Sequence, residues 1–120
     1  MSKVMLIEDD KTMLSLLTTL LEIEGFSVVE MEEEQPDVII NQLKTEQQDV
    51  VLMDVHLAQL NGMDMLKMIK QDEQVKSVKV LMSSGMDFHY DCIRAGASGF
   101  IMKPYMPDEL LSHLRQIINI

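Results

Sequence analysis

The chain contains little cysteine and no long apolar run. Only one of its 120 residues is Cys, so an internal disulfide cannot form and a reducing compartment such as the cytoplasm is favoured. No apolar run approaches the roughly 18 residues that a membrane span requires. The first residues do not form a basic segment followed by an apolar stretch, which argues against a secretory signal.

Basic residues are also scarce. Lys and Arg number 10 against 20 Asp and Glu, which gives a net charge of −10. Direct binding to nucleic acid needs a basic surface, so this function is disfavoured. An anionic membrane surface is disfavoured for the same reason. Divalent cations and basic protein surfaces are the partners that such a charge favours.

The remaining composition is that of a globular protein. Apolar residues make up 47% of the chain and charged residues 25%, which excludes disorder of the whole chain. A chain of this length buries about two-thirds of its surface on folding, so we predict one domain over residues 1–120. The sequence shows no linker and no internal repeat. The one charge run, at residues 32–34, is expected in a solvated loop.

Apolar segments of strand length alternate with helical patterns. The predicted strands are Val4–Ile7, Ser27–Met31, Val50–Met53, Val78–Met82 and Gly99–Met102. The predicted helices are a stripe from Met13 to Leu21 that ends at Gly25, a short helix at Pro36–Gln48, a stripe after Asp64 with Leu66 and Ile69, a helix at 86–96, and a helix that begins near Pro107. Five such β-α repeats predict a parallel sheet with helices on both faces.

In a doubly wound sheet, ligands bind beyond the carboxyl ends of the strands. The chemically active residues of this sequence follow the predicted strands at that edge. They are Glu8, Asp9 and Asp10 after the first strand, Asp54 after the third, Ser83 and Ser84 after the fourth, and Lys103 after the fifth. If the strands lie side by side, these groups converge on one pocket.

The charges of that pocket indicate a metal ion. Glu8, Asp9 and Asp54 would carry three negative charges, which repel one another. One Mg²⁺ and the Lys103 ammonium would neutralise them, and Mg²⁺ prefers oxygen ligands. Histidine and cysteine are scattered along the chain, so a zinc site is disfavoured. A carboxylate in such a pocket can attack phosphorus and form an acyl phosphate.

Four segments together resemble the response-regulator receiver domains of two-component signalling. They are VMLIEDD at 4–10, VVLMDVHLAQLNGMDML at 50–66, VLMSSG at 80–85 and AGASGFIMKP at 95–104. The resemblance covers essentially the whole chain. It implies an α/β fold in which a five-stranded parallel sheet of order 2-1-3-4-5 is doubly wound, (βα)5 and flavodoxin-like, with helices on both faces.

The resemblance also implies roles for single residues. Asp54 would be the phosphoacceptor. Mg²⁺ would be held by Asp9, Asp54 and the backbone carbonyl of His56, with Glu8 acting through water. Lys103 would pair with the phosphoryl group and precede a cis peptide bond to Pro104.

The implied switch consists of Ser84, whose hydroxyl would bind a phosphoryl oxygen, and the aromatic residue Phe100. The readout surface would be formed by the fourth helix, fifth strand and fifth helix, with His89, Tyr90, Arg94 and Tyr105 as contact residues. Two departures matter for these roles. Ala58 stands where the family usually has proline, which predicts a looser loop, and Phe100 has no hydroxyl, so its signalling must depend on packing.

The implied partners are a histidine kinase or a histidine phosphotransfer protein, and a downstream protein partner or output domain. A homodimer through the readout surface is a further implied assembly. The sequence ends with the predicted fifth helix, so we expect no attached output domain; a domain trimmed from a longer protein is the alternative. Such a chain would assist its own phosphorylation and dephosphorylation without turning over an external substrate.

Three other functions compete with this interpretation. A receiver fold that serves only as an interaction module, without phosphorylation, is the first. A small flavin carrier is the second, but the acidic residues at 8–10 would repel a phosphate, and no GxGxxG or GxxxxGK[ST] motif is present. A phosphatase acting on small molecules is the third, but it needs a substrate pocket that the sequence does not indicate.

Overall fold

The computed structural model describes residues 2–31 and 35–120, so the predicted acidic loop at 32–34 lies outside the described residues. Helices and strands alternate along the chain. They are β1 (Lys3–Ile7), α1 (Lys11–Ile23), β2 (Ser27–Met31), α2 (Pro36–Glu46), β3 (Val50–Asp54), α3 (Gly62–Gln71), β4 (Val80–Ser84), α4 (His89–Arg94), β5 (Gly99–Met102) and α5 (Pro107–Ile118). All strand pairs are parallel, in the order β2-β1-β3-β4-β5. The predicted fold class is confirmed.

Alternate residues of the central strands enter two separate apolar clusters, because successive side chains of a strand point to opposite faces. Leu6, Leu52 and Leu81 pack with α1 and α5 on one face. Met53 and Met82 pack with α2, α3 and α4 on the other. Burial on both faces explains why these strands read as continuous apolar runs. Within the described residues, none of the helices has the length and apolar content needed to cross a membrane.

The fourth strand begins and ends two residues later than predicted. Val78 belongs to the preceding turn, where its N–H donates to the Val75 carbonyl (3.0 Å) and its own carbonyl accepts from Lys70 Nζ (2.7 Å). Ser83 and Ser84 are instead buried and pair with β5. An apolar pattern ends the predicted strand before the two serines because their side chains are polar. A small hydroxyl side chain can nevertheless be buried in a strand when it is hydrogen-bonded.

The third and fourth helices also differ from their predicted bounds. Asp64 lies inside α3, whose N-cap is Asn61. The helix predicted over 86–96 spans only His89–Arg94. Ser84 Oγ accepts the N–H of Met86 (3.1 Å), and Asp87 Oδ1 accepts the N–H of His89 (3.1 Å). Such side-chain bonds to the backbone compete with helix formation in residues 85–88.

The sequence patterns predict a half-buried Cys92 and core positions for five methionines, Met13, Met53, Met65, Met68 and Met82. Met53, Met65 and Met82 are buried in the core as predicted. Met13 is only half-buried, and Met68 is 40% exposed, so its predicted core position is wrong. Cys92 was expected to be half-buried and is fully buried, because it lies on the side of α4 that packs against β5 and α3.

Candidate functional site

Three charged side chains meet at the carboxyl edge of the sheet, as the sequence predicts. Glu8 directly follows β1, Asp54 is the last residue of β3, and Lys103 directly follows β5. β1 and β3 are neighbours, and β4 separates β3 from β5. The parallel topology therefore delivers residues that are up to 95 positions apart in sequence to one place.

The Lys103 ammonium bridges the two carboxylates. Its Nζ lies 3.3 Å from Glu8 Oε2 and contacts Asp54 Oδ2 directly. The side chains of Glu8 and Asp54 are only 8% and 11% exposed, whereas Lys103 is 23% exposed. Two carboxylates and one ammonium leave this cluster with a net charge of −1, which favours a further cation.

Burial and pairing shift the pKa values in this cluster. Burial raises the pKa of Glu8 above its usual range, against the lowering effects of the Asp10 N–H and of Lys103. Burial alone would lower the pKa of Lys103, but hydrogen bonds and charges from Asp54 and Glu8 outweigh it, so that pKa is raised. Lys103 is therefore protonated at neutral pH and can neutralise negative charge at this edge.

The second oxygen of Asp54 is held by the chain that follows it. Asp54 Oδ1 accepts the backbone N–H of His56 at 2.9 Å. The side chain of His56 points elsewhere, with its ring 5.5 Å from the Phe88 ring in an edge-on contact. Both carboxylate oxygens of Asp54 thus have defined partners, one from the backbone and one from Lys103.

Two residues at this site were missed by the sequence interpretation. Gly62 approaches so closely that a Cβ atom there would lie 2.1 Å from the Asp54 carbonyl oxygen. Asn61 caps α3, with Oδ1 accepting the N–H groups of Met63 (2.8 Å) and Asp64 (3.2 Å). An Asn-Gly pair just before a helical stripe was the available signal, since Asn is a preferred N-cap and Gly permits close backbone contact.

The predicted metal ligands are assembled only in part. Asp9 is exposed and stands next to Glu8. Among residues 2–31 and 35–120, no three His, Cys, Asp or Glu side chains lie close enough together to hold a metal ion by themselves. A cation here would need a backbone carbonyl and water as further ligands, which is usual for Mg²⁺. The carboxylate oxygens of Glu8 and Asp54 are of the kind that this ion prefers.

Of the two predicted switch residues, Ser84 lies next to the charged cluster and Phe100 lies farther back along β5. Ser84 is fully buried, and its carbonyl accepts the N–H of Lys103 (2.8 Å), which links the ends of β4 and β5. The peptide bond between Lys103 and Pro104 is cis, as expected. Phe100 is 9% exposed, and its ring lies 6.1 Å from that of His89 in an edge-on contact. The residue expected to switch therefore joins the core to α4.

The residues expected on the readout surface are not equally accessible. Tyr90 is 69% exposed, with the Arg94 guanidinium 5.4 Å from its ring centroid, and His89 is also exposed. Tyr105 is half-buried and packs with the α1 and α5 cluster. Burial raises its pKa, and the charges of Glu8 and Asp54 act in the same direction while Lys103 opposes them. Tyr105 is therefore less accessible than His89 and Tyr90, and the charges of the cluster act on it.

Comparison with known proteins gives a consistent result. The family model described as the response regulator receiver domain matches residues 4–115. The transcriptional regulatory protein CpxR of Escherichia coli K12 is 32% identical over 99% of this chain, which covers 50% of CpxR. The chemotaxis protein CheY of Bacillus subtilis is 29% identical, with 98% of each chain covered.

Solved structures agree on the fold. A CheY-like receiver domain protein of Methanospirillum hungatei has a TM-score of 0.85 at 22% identity, covering 99% of this chain and 94% of its own. The receiver domain of the sensor histidine kinase PA1611 of Pseudomonas aeruginosa has a TM-score of 0.84 at 20% identity, covering 99% and 98%. That structure is described with magnesium coordinated in its active site cleft. The chain spans about half the length of CpxR and nearly the whole length of CheY.

Proposed function

The chain belongs to the response regulator receiver domain family, and from this premise we propose that it is a signalling receiver that accepts a phosphoryl group on Asp54. The donor would be a histidine kinase or a histidine phosphotransfer protein in the cytoplasm. Residues 1–120 would act as one domain. The chain would not turn over an external substrate.

The observation that carries the proposal is the Lys103 bridge between Glu8 and Asp54. Because the Lys103 ammonium already contacts the Asp54 carboxylate, it can form an ion pair with a phosphoryl oxygen on Asp54 without a large movement. Preorganised charge of this kind is the main contribution that a protein makes to phosphoryl transfer. An isolated aspartate at a strand end would have no such partner.

The chemical step is a transfer between the donor's phosphohistidine and Asp54. A carboxylate oxygen of Asp54 attacks phosphorus and forms an O–P bond, while the P–N bond to the donor imidazole breaks. The imidazole leaves with the electron pair and takes up a proton. Lys103 then pairs with a phosphoryl oxygen. Mg²⁺, held by Asp9, Asp54 and the His56 carbonyl with Glu8 through water, would supply further neutralisation of the phosphoryl charge.

Signal output would follow from the added negative charge. A phosphoryl group carries about two negative charges and several strong acceptor oxygens. Its oxygens would attract the Ser84 hydroxyl, which now accepts the Met86 N–H, and so displace the loop after β4. Phe100, which contacts His89 at the start of α4, would then repack. The altered surface of α4, β5 and α5 would control a protein partner, a homodimer or an output domain.

The direct test is incubation with Mg²⁺ and a small acyl phosphate, followed by intact mass measurement. We expect the wild-type chain to gain the mass of one phosphoryl group and Asp54→Asn to gain none. Asp64→Asn, an exposed change of the same type in α3, is the matched control and should be modified like the wild type. A wild-type chain that stays unmodified would favour the interaction module without phosphorylation, and modification of Asp54→Asn would place the acceptor elsewhere.

A further inference from the structure

We infer that Asn61 and Gly62 are positioning residues, which clamp the loop between β3 and α3 so that the His56 backbone faces Asp54 and the cation. This inference rests on the proposed function of Asp54. Neither residue would touch the phosphoryl group. Their contribution would be the fixed geometry of the backbone that does.

Gly62 is required here by space and not by an unusual backbone conformation. Its N–H donates to the Val55 carbonyl at 2.7 Å. A Cβ atom at this position would lie 2.1 Å from the Asp54 carbonyl oxygen, 2.8 Å from Val55 Cα and 2.9 Å from the Val55 oxygen. All three atoms belong to the backbone, so no side-chain rotation could relieve the contact. Any larger residue must push α3 away from the end of β3.

Asn61 fixes the other side of the same loop. It forms an isolated antiparallel bridge with His56, whose hydrogen bonds run from Gly62 to Val55 (2.7 Å) and from Leu57 to Leu60 (3.3 Å). At the same time its side chain caps α3. The first turn of α3 and the loop that returns from β3 are therefore joined at one residue.

The clamped segment contains the backbone groups that the site uses. The His56 N–H donates to Asp54 Oδ1, and the bridge to Asn61 does not engage the His56 carbonyl, since its bonds use the carbonyls of Val55 and Leu60. That carbonyl is a proposed cation ligand. Ala58 in this loop does not restrict the backbone as a proline would. The rigidity of the loop between β3 and α3 therefore depends on the bridge and on the close contact of Gly62.

The test compares two glycine substitutions by Mg²⁺ titration calorimetry of the whole chain. Gly62→Ala should weaken Mg²⁺ binding about tenfold, as loss of support around metal ligands typically does. Gly96→Ala is the matched control, because it is also strained, with a φ of 104° and Lys70 Cγ 3.0 Å from the new Cβ. It lies after α4 and contacts the Lys70 side chain and not β3, so it should lower stability and leave Mg²⁺ affinity unchanged.

A second pair of variants covers the case in which Gly62→Ala does not fold. Asn61→Ala removes the cap and should weaken Mg²⁺ binding, whereas Asn61→Ser keeps a capping oxygen and should restore most of the affinity. Equal affinity in wild type, Gly62→Ala and Asn61→Ala would overturn the inference and leave the proposed function intact. A wild-type chain that binds no Mg²⁺ would contradict the proposed metal site itself.

Discussion

Single side chains of this protein owe their properties to their neighbours more than to their type. Lys103 is a lysine that follows a strand, yet two partly buried carboxylates raise its pKa and fix its position. Cys92 shows the opposite case. Its Sγ lies 3.5 Å from Met63 Sδ, it is fully buried, and the charge of Asp91 disfavours its thiolate form.

The buried thiol should be unreactive in the folded protein. Burial, with a further contribution from the Asp91 charge, raises the pKa of Cys92 from 9.0 to about 11. Because the thiolate is the reactive form, we expect slow modification by a thiol reagent at pH 8. The unfolded chain should be modified quickly, since its thiol ionises near the ordinary value.

The measurement is the rate of thiol modification with and without denaturant, followed by absorbance. The chain has one cysteine, so the signal needs no assignment. The linked effect on folding has a definite sign. The Cys92 contribution to stability is complete below pH 9 and is lost as the pH rises towards about 11, because only the unfolded chain ionises readily in that range. Fast modification of the folded protein would show that α4 opens easily.

At the scale of elements, side chains at the starts of helices connect local structure to the site. Asp10 Oδ1 accepts the N–H groups of Thr12 (2.9 Å) and Met13 (3.1 Å) and so caps α1. The Asp10 N–H donates to Glu8 Oε1 at 3.1 Å. Neighbouring acidic residues therefore have different roles: Glu8 belongs to the charged cluster, and Asp10 caps a helix.

Removal of the α1 cap should cost stability. Asp10→Ala leaves the N–H groups of Thr12 and Met13 without their acceptor, and we expect a loss of about 1 kcal/mol in the free energy of unfolding. Asp10→Asn keeps a capping oxygen and should lose only a few tenths of that amount. Urea denaturation followed by circular dichroism measures both. Equal losses in the two variants would mean that the charge and not the hydrogen bonds stabilises α1.

For the whole molecule, net charge and topology act together. The chain carries a net charge of −10, and the parallel sheet brings two buried carboxylates to one edge. A cation that binds there would relieve local repulsion and favour the folded state. The unfolded chain has no such site, so binding must raise the apparent stability.

Mg²⁺ should therefore raise the melting temperature of the wild-type chain. At a concentration of 100 times the Kd, the gain in unfolding free energy is about 2.7 kcal/mol, and a chelator should reverse it. NaCl at matched ionic strength is the necessary control, since screening also stabilises a chain of this charge. Asp54→Asn should respond to Mg²⁺ no more than to NaCl at the same ionic strength. An equal response of both proteins to Mg²⁺ would indicate screening without a specific site.

The elements of the fold were predictable because their patterns are local. Strands β1, β2, β3 and β5 lie within one residue of their predicted bounds, since apolar runs of strand length between helical stripes leave few alternatives. The bounds of β4 and α4 were wrong because they depend on hydrogen bonds of Ser84, Lys70 and Asp87. Such bonds leave no periodic signal in the sequence.

The residues that could form the site were equally visible, since Glu8, Asp54, Ser84 and Lys103 stand at the ends of strands and match known motifs. The sequence by itself determined the order of elements, the two-sided burial of the sheet and the edge at which the charges collect, because these follow from periodicity and parallel topology. Only the tertiary structure decided that Lys103 bridges Glu8 and Asp54 while Asp9 stays exposed, and that Gly62 lies against the Asp54 backbone. Distances between residues remote in sequence depend on how whole elements pack, and no local pattern encodes them.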